Sequence, residues 1–374
     1  MNLKRSSAVL GVVAIGAVAL SACGTDNNTN SAGASSAVAN STASCEGKAR
    51  LSGAGSSAQK NAMDAFTAAY IAACSNKGKT VNVAYNPSGS GDGRTQFIAK
   101  QIDFAGSDSA IKDEQAAQAK ARCGGNDAWN IPLVFGPVAL AYHLDGVDNL
   151  VLNGEVAAKI FNGAIKKWND PAIAALNHGV ALPDQNITVF FRSDSSGTTD
   201  NFQQFLAAAS HGAWTQGAGS DFRGGTGQGA KGSAGVAQGV ATTPGSITYV
   251  EKSFADQNKL TAARLDSGSG PVALSTASAS KAIDAAQFKN PNGNDLALDL
   301  KSTYTSKEPG VYPLILATYE VVCSKGYDPD TATAVKSFLT SAVNEGQSGL
   351  ADLGYVPLPQ HFKEKVAASI NAMG

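Results

Sequence analysis

Residues 187–206, ITVFFRSDSSGTTDNFQQFL, hold the densest set of groups able to do chemistry. Ile187 to Phe191 are β-branched and aromatic and predict a buried strand. Phe202, Phe205, Leu206 and Ala209 recur at helical spacing and predict an amphipathic helix. Between them lies Arg192-Ser193-Asp194-Ser195-Ser196-Gly197-Thr198-Thr199. A strand that turns through such residues into a helix presents free backbone N–H groups at the helix start, and these attract anions. One serine or threonine would suffice as an N-cap. Five hydroxyl residues, a glycine and an arginine exceed that need.

Two other loops follow the same plan. Lys48–Ser52 reads as a strand, Gly53-Ala54-Gly55-Ser56-Ser57 as a tight turn, and Ala58–Cys74 as a helix with Met63, Phe66, Tyr70 and Ala73 on one face. Thr80–Tyr85 reads as a strand, followed by Asn86-Pro87-Ser88-Gly89-Ser90-Gly91-Asp92-Gly93 and a helical stretch at Thr95–Lys100. A strand at Ile102–Phe104 runs through Ala105-Gly106-Ser107 to Asp108. This alternation predicts an α/β fold with a mostly parallel sheet, whose ligands sit beyond the carboxyl ends of the strands. Further on, Ile131–Leu144 reads as a long apolar strand broken by Gly136-Pro137. Helices are expected within Val147–Ala164 and Lys166–Leu176. Residues 215–235 read as an ordered glycine-rich loop before structure resumes at Gly235–Val240 and Ile247–Val250. Tyr312–Ser324 is a second long strand, and Asp330–Asn344 and His361–Asn371 carry the last helices.

The chain has 374 residues, room for two domains. Its net charge is −1 with no basic run, which argues against nucleic acid as a partner. Lys4 and Arg5 precede an apolar run from Ala8 to Leu20, the pattern of a secretory signal over residues 1–22. Leu20-Ser21-Ala22-Cys23 resembles the lipobox of bacterial lipoproteins, in which the cysteine becomes the acylated first residue of the mature chain. Residues 23–44 are almost devoid of bulky apolar side chains and are expected to form a flexible tether, with a reach of roughly 25 Å. Cys45, Cys74, Cys123 and Cys323 remain, an even count that suggests two disulfides in a secreted protein. Three pairings are open; Cys45–Cys74 is favoured because Cys45 precedes the first strand and Cys74 ends the helix beside it. Neither the cysteines nor His143, His178, His211 and His361 have metal-ligand spacing, so no metal is expected.

Two enzyme motifs occur without their context. Gly53-Ala54-Gly55-Ser56-Ser57-Ala58 fits the dinucleotide fingerprint, yet no acidic residue ends the next strand to take the ribose hydroxyls. Ser57-Ala58-Gln59-Lys60 fits S-x-x-K, but partner motifs of the S-D-N and K-T-G kind are missing. A secreted serine hydrolase or phosphatase-like enzyme is the alternative reading; no enzyme is expected.

The ordered set Gly53–Ser57, Ser88-Gly89-Ser90-Gly91, Asp103–Asp108, Ile165–Ile173 (with Lys166-Lys167-Trp168-Asn169-Asp170-Pro171-Ala172), Arg192–Thr198 and Pro244–Glu251 resembles the Pst-type phosphate-binding proteins, receptors of phosphate ABC importers. The likeness covers nearly all of residues 48–374. It implies a two-domain periplasmic-binding-protein clamshell, each domain a sheet flanked by helices, with two crossover strands near Pro132–Val138 and Lys307–Tyr312. Residues 45–134 and 313–374 would form domain I, and 135–312 domain II. Inorganic phosphate would lie between them, held by Ser57, Ala58, Ser90, Asp108, Arg192, Ser196, Gly197 and Thr198, with Asp194 pairing Arg192. The family usually has threonine then a large residue at 57 and 58; Ser57 keeps the hydroxyl and Ala58 offers only its N–H. The resemblance also implies a monomer without cofactor, anchored through Cys23 outside the cytoplasm and delivering its ligand to a membrane permease. Cys123–Cys323 follows if Cys45 and Cys74 pair.

The chemistry is coherent on its own terms. A small dianion leaving water must be fully hydrogen-bonded. A carboxylate at Asp108 repels an anion unless that anion carries a proton to donate, as phosphate does near neutral pH and sulfate does not. The competing expectation is that Asp108 caps the helix beginning near Lys112.

Overall fold

The computed structural model describes residues 41–374; the signal segment, Cys23 and most of the tether lie outside the described residues. The chain begins with β1 (Arg50–Gly55), α1 (Lys60–Ser75), β2 (Asn82–Asn86), α2 (Ser90–Ile98), β3 (Phe104–Ser107), α3 (Asp113–Arg122) and β4 (Ala128–His143). There follow β5 (Val151–Leu152), α4 (Gly154–Phe161), α5 (Pro171–Ala174), β6 (Thr188–Arg192), α6 (Gly197–Ala209), β7 (Gln228–Ala230), α7 (Gly232–Thr242), β8 (Ser246–Glu251) and α8 (Lys252–Gln257). The remainder holds β9 (Thr261–Ala262), β10 (Arg264–Asp266), β11 (Pro271–Val272), α9 (Thr276–Asp284), β12 (Gln287–Phe288), β13 (Leu298–Asp299), α10 (Lys301–Tyr304), β14 (Ile315–Cys323), α11 (Pro329–Asn344) and α12 (Gln360–Ala372).

The main sheet runs β2-β1-β3-β14-β4-β8-β6-β7, with β9 also on β4. β1 lies parallel to β2 and β3, and β6 lies parallel to β7 and β8. The centre is antiparallel: β14 against β3 and β4, and β4 against β8. The sheet is therefore mixed, which corrects the mostly parallel expectation. The antiparallel pairs join strands far apart in sequence, and no local pattern encodes such pairing.

β4 explains how one chain makes two α/β halves. Its residues Ala128–Pro137 pair with β14, and Val138–His143 pair with β8. Gly136-Pro137 does not break the strand as expected. It marks the place where β4 changes neighbours, so the missing N–H of Pro137 costs no ladder bond on the new side. The second crossing lies just before β14, where Val138 N donates to Leu314 O at 2.9 Å.

In the first half, α1 packs against α11 through Tyr70 and Phe338, whose rings meet edge to face at 5.6 Å, and Phe104 of β3 lies 5.5 Å from Phe338. Each of these rings is fully buried, a burial worth about 1.5–3 kcal/mol apiece. In the second half, Phe202 of α6 stacks on Tyr249 of β8 at 4.3 Å and meets Phe161 of α4 at 4.7 Å. That cluster fixes the end of β6 and the start of α6.

Both disulfides form as favoured, Cys45–Cys74 and Cys123–Cys323, with Cα separations of 5.5 and 5.4 Å. The last tether residues are docked rather than free. Thr42 N donates to Glu345 Oε1, Ala43 is fully buried, and Cys45 N donates to Ser337 Oγ. The glycine-rich stretch is ordered as expected, but it also supplies β7 and the first turn of α7.

Candidate anion site

The loops after β1, β3 and β6 and the start of α2 meet at the junction of the two halves. Two of the strand ends are set by glycine. Gly55 has φ +137, and a Cβ there would stand 2.0 Å from Gly106 O. Only bare backbone lets β1 and β3 run this close. β1 consequently extends through Gly55, and the turn is Ser56–Gln59 rather than Gly53–Ser57.

Arg192 ends β6 with 2% exposure. Its Nε donates to Asp194 Oδ1 at 2.7 Å and Nη2 donates to Asp194 Oδ2, a two-pronged ion pair. Asp194 Oδ1 also accepts from Gly232 N at 2.9 Å. Burial alone would lower the Arg192 pKa, but Asp194 and then Glu251 outweigh it and leave it raised. For Asp194, burial pushes the carboxyl up, and the Arg192 guanidinium more than reverses that. Nη1 is turned to Thr198 Oγ1 at 3.4 Å and Ser233 Oγ at 3.2 Å. Tyr249 holds the strand end from behind, its hydroxyl accepting from Arg192 N at 3.1 Å and lying 2.7 Å from Thr199 Oγ1. Ser196 caps α6 by accepting from Thr199 N. Gly197 and Thr198 form the first turn of that helix, where N–H groups have no intrahelical acceptor.

Asp108 faces this helix start from the first half. A Cβ on Gly197 would lie 2.6 Å from Ser90 Oγ and 2.8 Å from Asp108 Oδ2, so a glycine is needed for the approach. Asp108 accepts from Ser56 Oγ (2.5 Å), Ser90 Oγ (3.0 Å) and Thr318 Oγ1 (3.1 Å). Burial, reinforced by the charge of Glu251, pushes its carboxyl up to about 6, against the pull of those hydroxyls and Arg192. It does not cap α3. The N-cap there is Lys112, and no side chain caps that helix. Behind Asp108, burial holds Glu320 well above the usual carboxylate range, with the Asp108 charge adding to it.

The expected residues thus come together, but several groups are engaged. Ala58 N donates to Ser56 Oγ, Ser90 Oγ donates to Asp108, and Ser57 Oγ accepts from Ser233 N while lying 3.0 Å from Ser233 Oγ. Ser56, Thr318, Ser233 and Glu251 were not singled out from the sequence as site residues. Ser56 and Glu251 lay inside quoted motifs. Ser233 and Thr318 carried no signal, because only the sheet order brings them here. A second buried guanidinium also borders the site: Arg94, 2% exposed, donates to Ser107 Oγ at 2.7 Å and across the junction to Ser220 Oγ at 3.3 Å.

The hydrolase motif falls apart in space. Lys60 pairs with Asp64 on the surface of α1 instead of serving Ser57. His143 is half-buried at the end of β4 and the other three histidines are exposed. No cluster of potential metal ligands occurs among the described residues.

Two α/β halves joined by two crossing segments, with a buried guanidinium, carboxylate and hydroxyl set between them, define a solute-binding protein of the periplasmic-binding-protein class. Residues 31–343 match the profile of the PBP superfamily domain. Phosphate-binding protein PstS 3 of Mycobacterium tuberculosis (strain ATCC 25618 / H37Rv) is 49% identical over 375 residues, covering 100% of both chains. Phosphate-binding protein PstS of Pasteurella multocida (strain Pm70) is 38% identical over 291 residues, 76% of this chain and 81% of that one. The chain belongs to the PstS family of phosphate-binding proteins. In fold it is similar to a high affinity periplasmic phosphate-binding protein solved with phosphate, with a TM-score of 0.67 at 22% identity over 85% of this chain and 93% of that one. A phosphate-binding protein from Stenotrophomonas maltophilia gives 0.64 at 19% identity, over 86% and 94%.

Proposed function

We propose that this protein captures inorganic phosphate outside the cytoplasm and hands it to the membrane permease of a phosphate ABC importer. The observation that carries the reading is the buried pair of opposite demands at one junction: the Arg192 guanidinium, which takes an anion, and the Asp108 carboxylate, which takes a proton from it. The names of relatives 49% and 38% identical support the same ligand. Arg192 Nη1, the N–H groups of Ser57, Ala58, Gly197 and Thr198 and the hydroxyls of Ser57, Ser90, Ser196 and Thr198 turn to phosphate, exchanging the internal bonds described above for bonds to the ligand. Such exchanges are cheap, because a hydroxyl both donates and accepts. Residues 45–134 and 313–374 move as one domain and 135–312 as the other, bending where β4 changes neighbours and at the segment before β14. Cys23 carries the acyl anchor, the residues after it tether a monomeric receptor to the outer face of the membrane, and no cofactor takes part. No helix among the described residues is long and apolar enough to cross a membrane, which fits anchoring by lipid.

Isothermal calorimetry with inorganic phosphate, alongside an assay for aryl phosphate hydrolysis, tests the reading. Binding without turnover is expected. Arg192→Ala removes a charge-assisted donor worth about 1.5–3 kcal/mol and is expected to weaken binding about ten- to hundredfold. Absence of phosphate binding in the wild type, or unchanged affinity in the variant, refutes the assignment.

A further inference from the structure

Glu320 is a buried carboxyl outside the set of groups that meet the ligand. It lies in β14 with no exposed surface, and both its oxygens lack a hydrogen-bond partner among the described residues. Its neighbours across the sheet show what it faces. Glu320 is paired with Gly106 of β3 on one side and Ile131 of β4 on the other, and directly opposed residues share a face of the sheet. Ile131 is apolar and fully buried. Gly106 has no side chain, and a Cβ there would stand 1.9 Å from Gln59 Nε2 and 2.2 Å from the Tyr85 hydroxyl. Those two groups therefore occupy the space beside Glu320. Gln59 is fully buried, its Nε2 donates to the Tyr85 hydroxyl oxygen at 3.0 Å, and that hydroxyl donates to Ser56 O at 2.8 Å. With donation running in this direction, Gln59 Oε1 is left as an acceptor, and it has no donor among the described residues.

We propose that Glu320 is a positioning residue that keeps its proton and donates it to Gln59 Oε1, completing a chain of donors from Glu320 through Gln59 and Tyr85 to the carbonyl of Ser56. Its consequence for binding rests on the phosphate reading above, because Ser56 opens the turn that carries Ser57 and Ala58 into the site. A protonated carboxyl supplies the one donor the chain lacks. An ionised one would face an acceptor and set a second negative charge behind Asp108. The titratable groups around Glu320 are Tyr85 on β2, Asp108 after β3 and Tyr355 before α12. None of them is a cation, and Lys60, next to Gln59, is turned outward to Asp64. Burial holds the carboxyl well above its ordinary range, with the approach of the Gln59 amide opposing and the Asp108 charge adding.

Infrared spectroscopy of ligand-free protein at pH 8, where Asp108 at about 6 is ionised, reads the proton directly. The carbonyl stretch of an un-ionised carboxyl is expected in wild type and is expected to vanish in Glu320→Gln. Urea unfolding then compares the two proteins from pH 5 to 8. A carboxyl raised from 4.5 stabilises the fold fully only below 4.5, and that contribution is lost as pH rises. Wild type is therefore expected to lose stability relative to Glu320→Gln, by up to about tenfold in the unfolding constant per pH unit. In calorimetry with inorganic phosphate, Glu320→Gln, whose amide replaces the donor, is expected to bind as wild type does. Glu320→Met fills the space without a donor and is expected to weaken binding about tenfold, the effect of one buried acceptor left unpaired. Tyr85→Phe cuts the same chain at Ser56 and is expected to do likewise, and it serves if the methionine variant does not fold. A wild-type spectrum without the band, or the same pH dependence in both proteins, overturns the proposal. So does unchanged phosphate affinity in Glu320→Met and Tyr85→Phe. If wild type binds no phosphate, the reading of the site falls, while the infrared band still decides where the proton sits.

Discussion

At the scale of the residue, the proposed reading has the site separate ligands by who holds the proton. Asp108→Asn tests this directly. The three hydroxyls on Asp108 can each reverse from donor to acceptor, so the amide fits the same network. Phosphate is expected to lose little affinity, because the amide oxygen still accepts its proton. Sulfate is expected to gain, because the amide NH₂ can donate to an oxygen that has none. Leaving a charged acceptor unsatisfied in a dry site costs a few kcal/mol. The phosphate-to-sulfate ratio should therefore fall by at least tenfold in competition binding, mainly through the gain of sulfate. A variant that kept the wild-type ratio would remove Asp108 from the selection of ligand.

At the scale of the element, glycines set how closely the halves meet. Gly91 lies in the first turn of α2, and its N–H donates to Ser195 O at 2.9 Å across the junction. A Cβ there would stand 2.1 Å from Ser195 Oγ and 2.6 Å from its Cβ. Within a helix, alanine is better than glycine by about 1 kcal/mol. Gly91→Ala is thus expected to leave the melting temperature of the ligand-free protein unchanged or higher, while phosphate affinity falls by an order of magnitude or more. Differential scanning calorimetry with and without phosphate reads both. The same loops show what a sequence reveals. Glycine and hydroxyl residues between a strand and a helix announce a helix-start anion site, because few other residues tolerate that geometry. Arg192, Asp194 and Gly197 stand out in the sequence for that reason, and Asp108 because it follows the end of a neighbouring strand. Ser233 and Glu251 reach the site through the order β8-β6-β7, and Arg94 meets Ser220 only because the halves touch. Those contacts are non-local, and neither propensity nor spacing carries them. The mixed sheet was missed on the same ground, since β14 and β4 pair across a large part of the chain.

At the scale of the whole molecule, the proposed two-domain reading ties closure to pH through Asp108. With the halves in contact, burial and the charge of Glu251 raise its carboxyl from 3.8 to about 6. Parting the halves returns it to water and toward its ordinary value. The closed form therefore binds more protons than the open form between those two values. Closure of the ligand-free protein gains as pH falls through 6 and gains nothing further below 3.8; it is lost as pH rises. A shift of this size corresponds to on the order of 2–3 kcal/mol, enough to change the dominant form if the two are close in energy. Glu320 is also raised, but it sits in β14 between β3 and β4 of the first half, so its burial does not depend on closure. Small-angle scattering of phosphate-free protein is expected to give a smaller radius of gyration at pH 5 than at pH 8. Asp108→Asn, which cannot titrate, is expected to give the same radius at both. Equal radii in the wild type would mean that Asp108 keeps its dry surroundings in both forms, and a pH response surviving in the variant would assign the switch to another group.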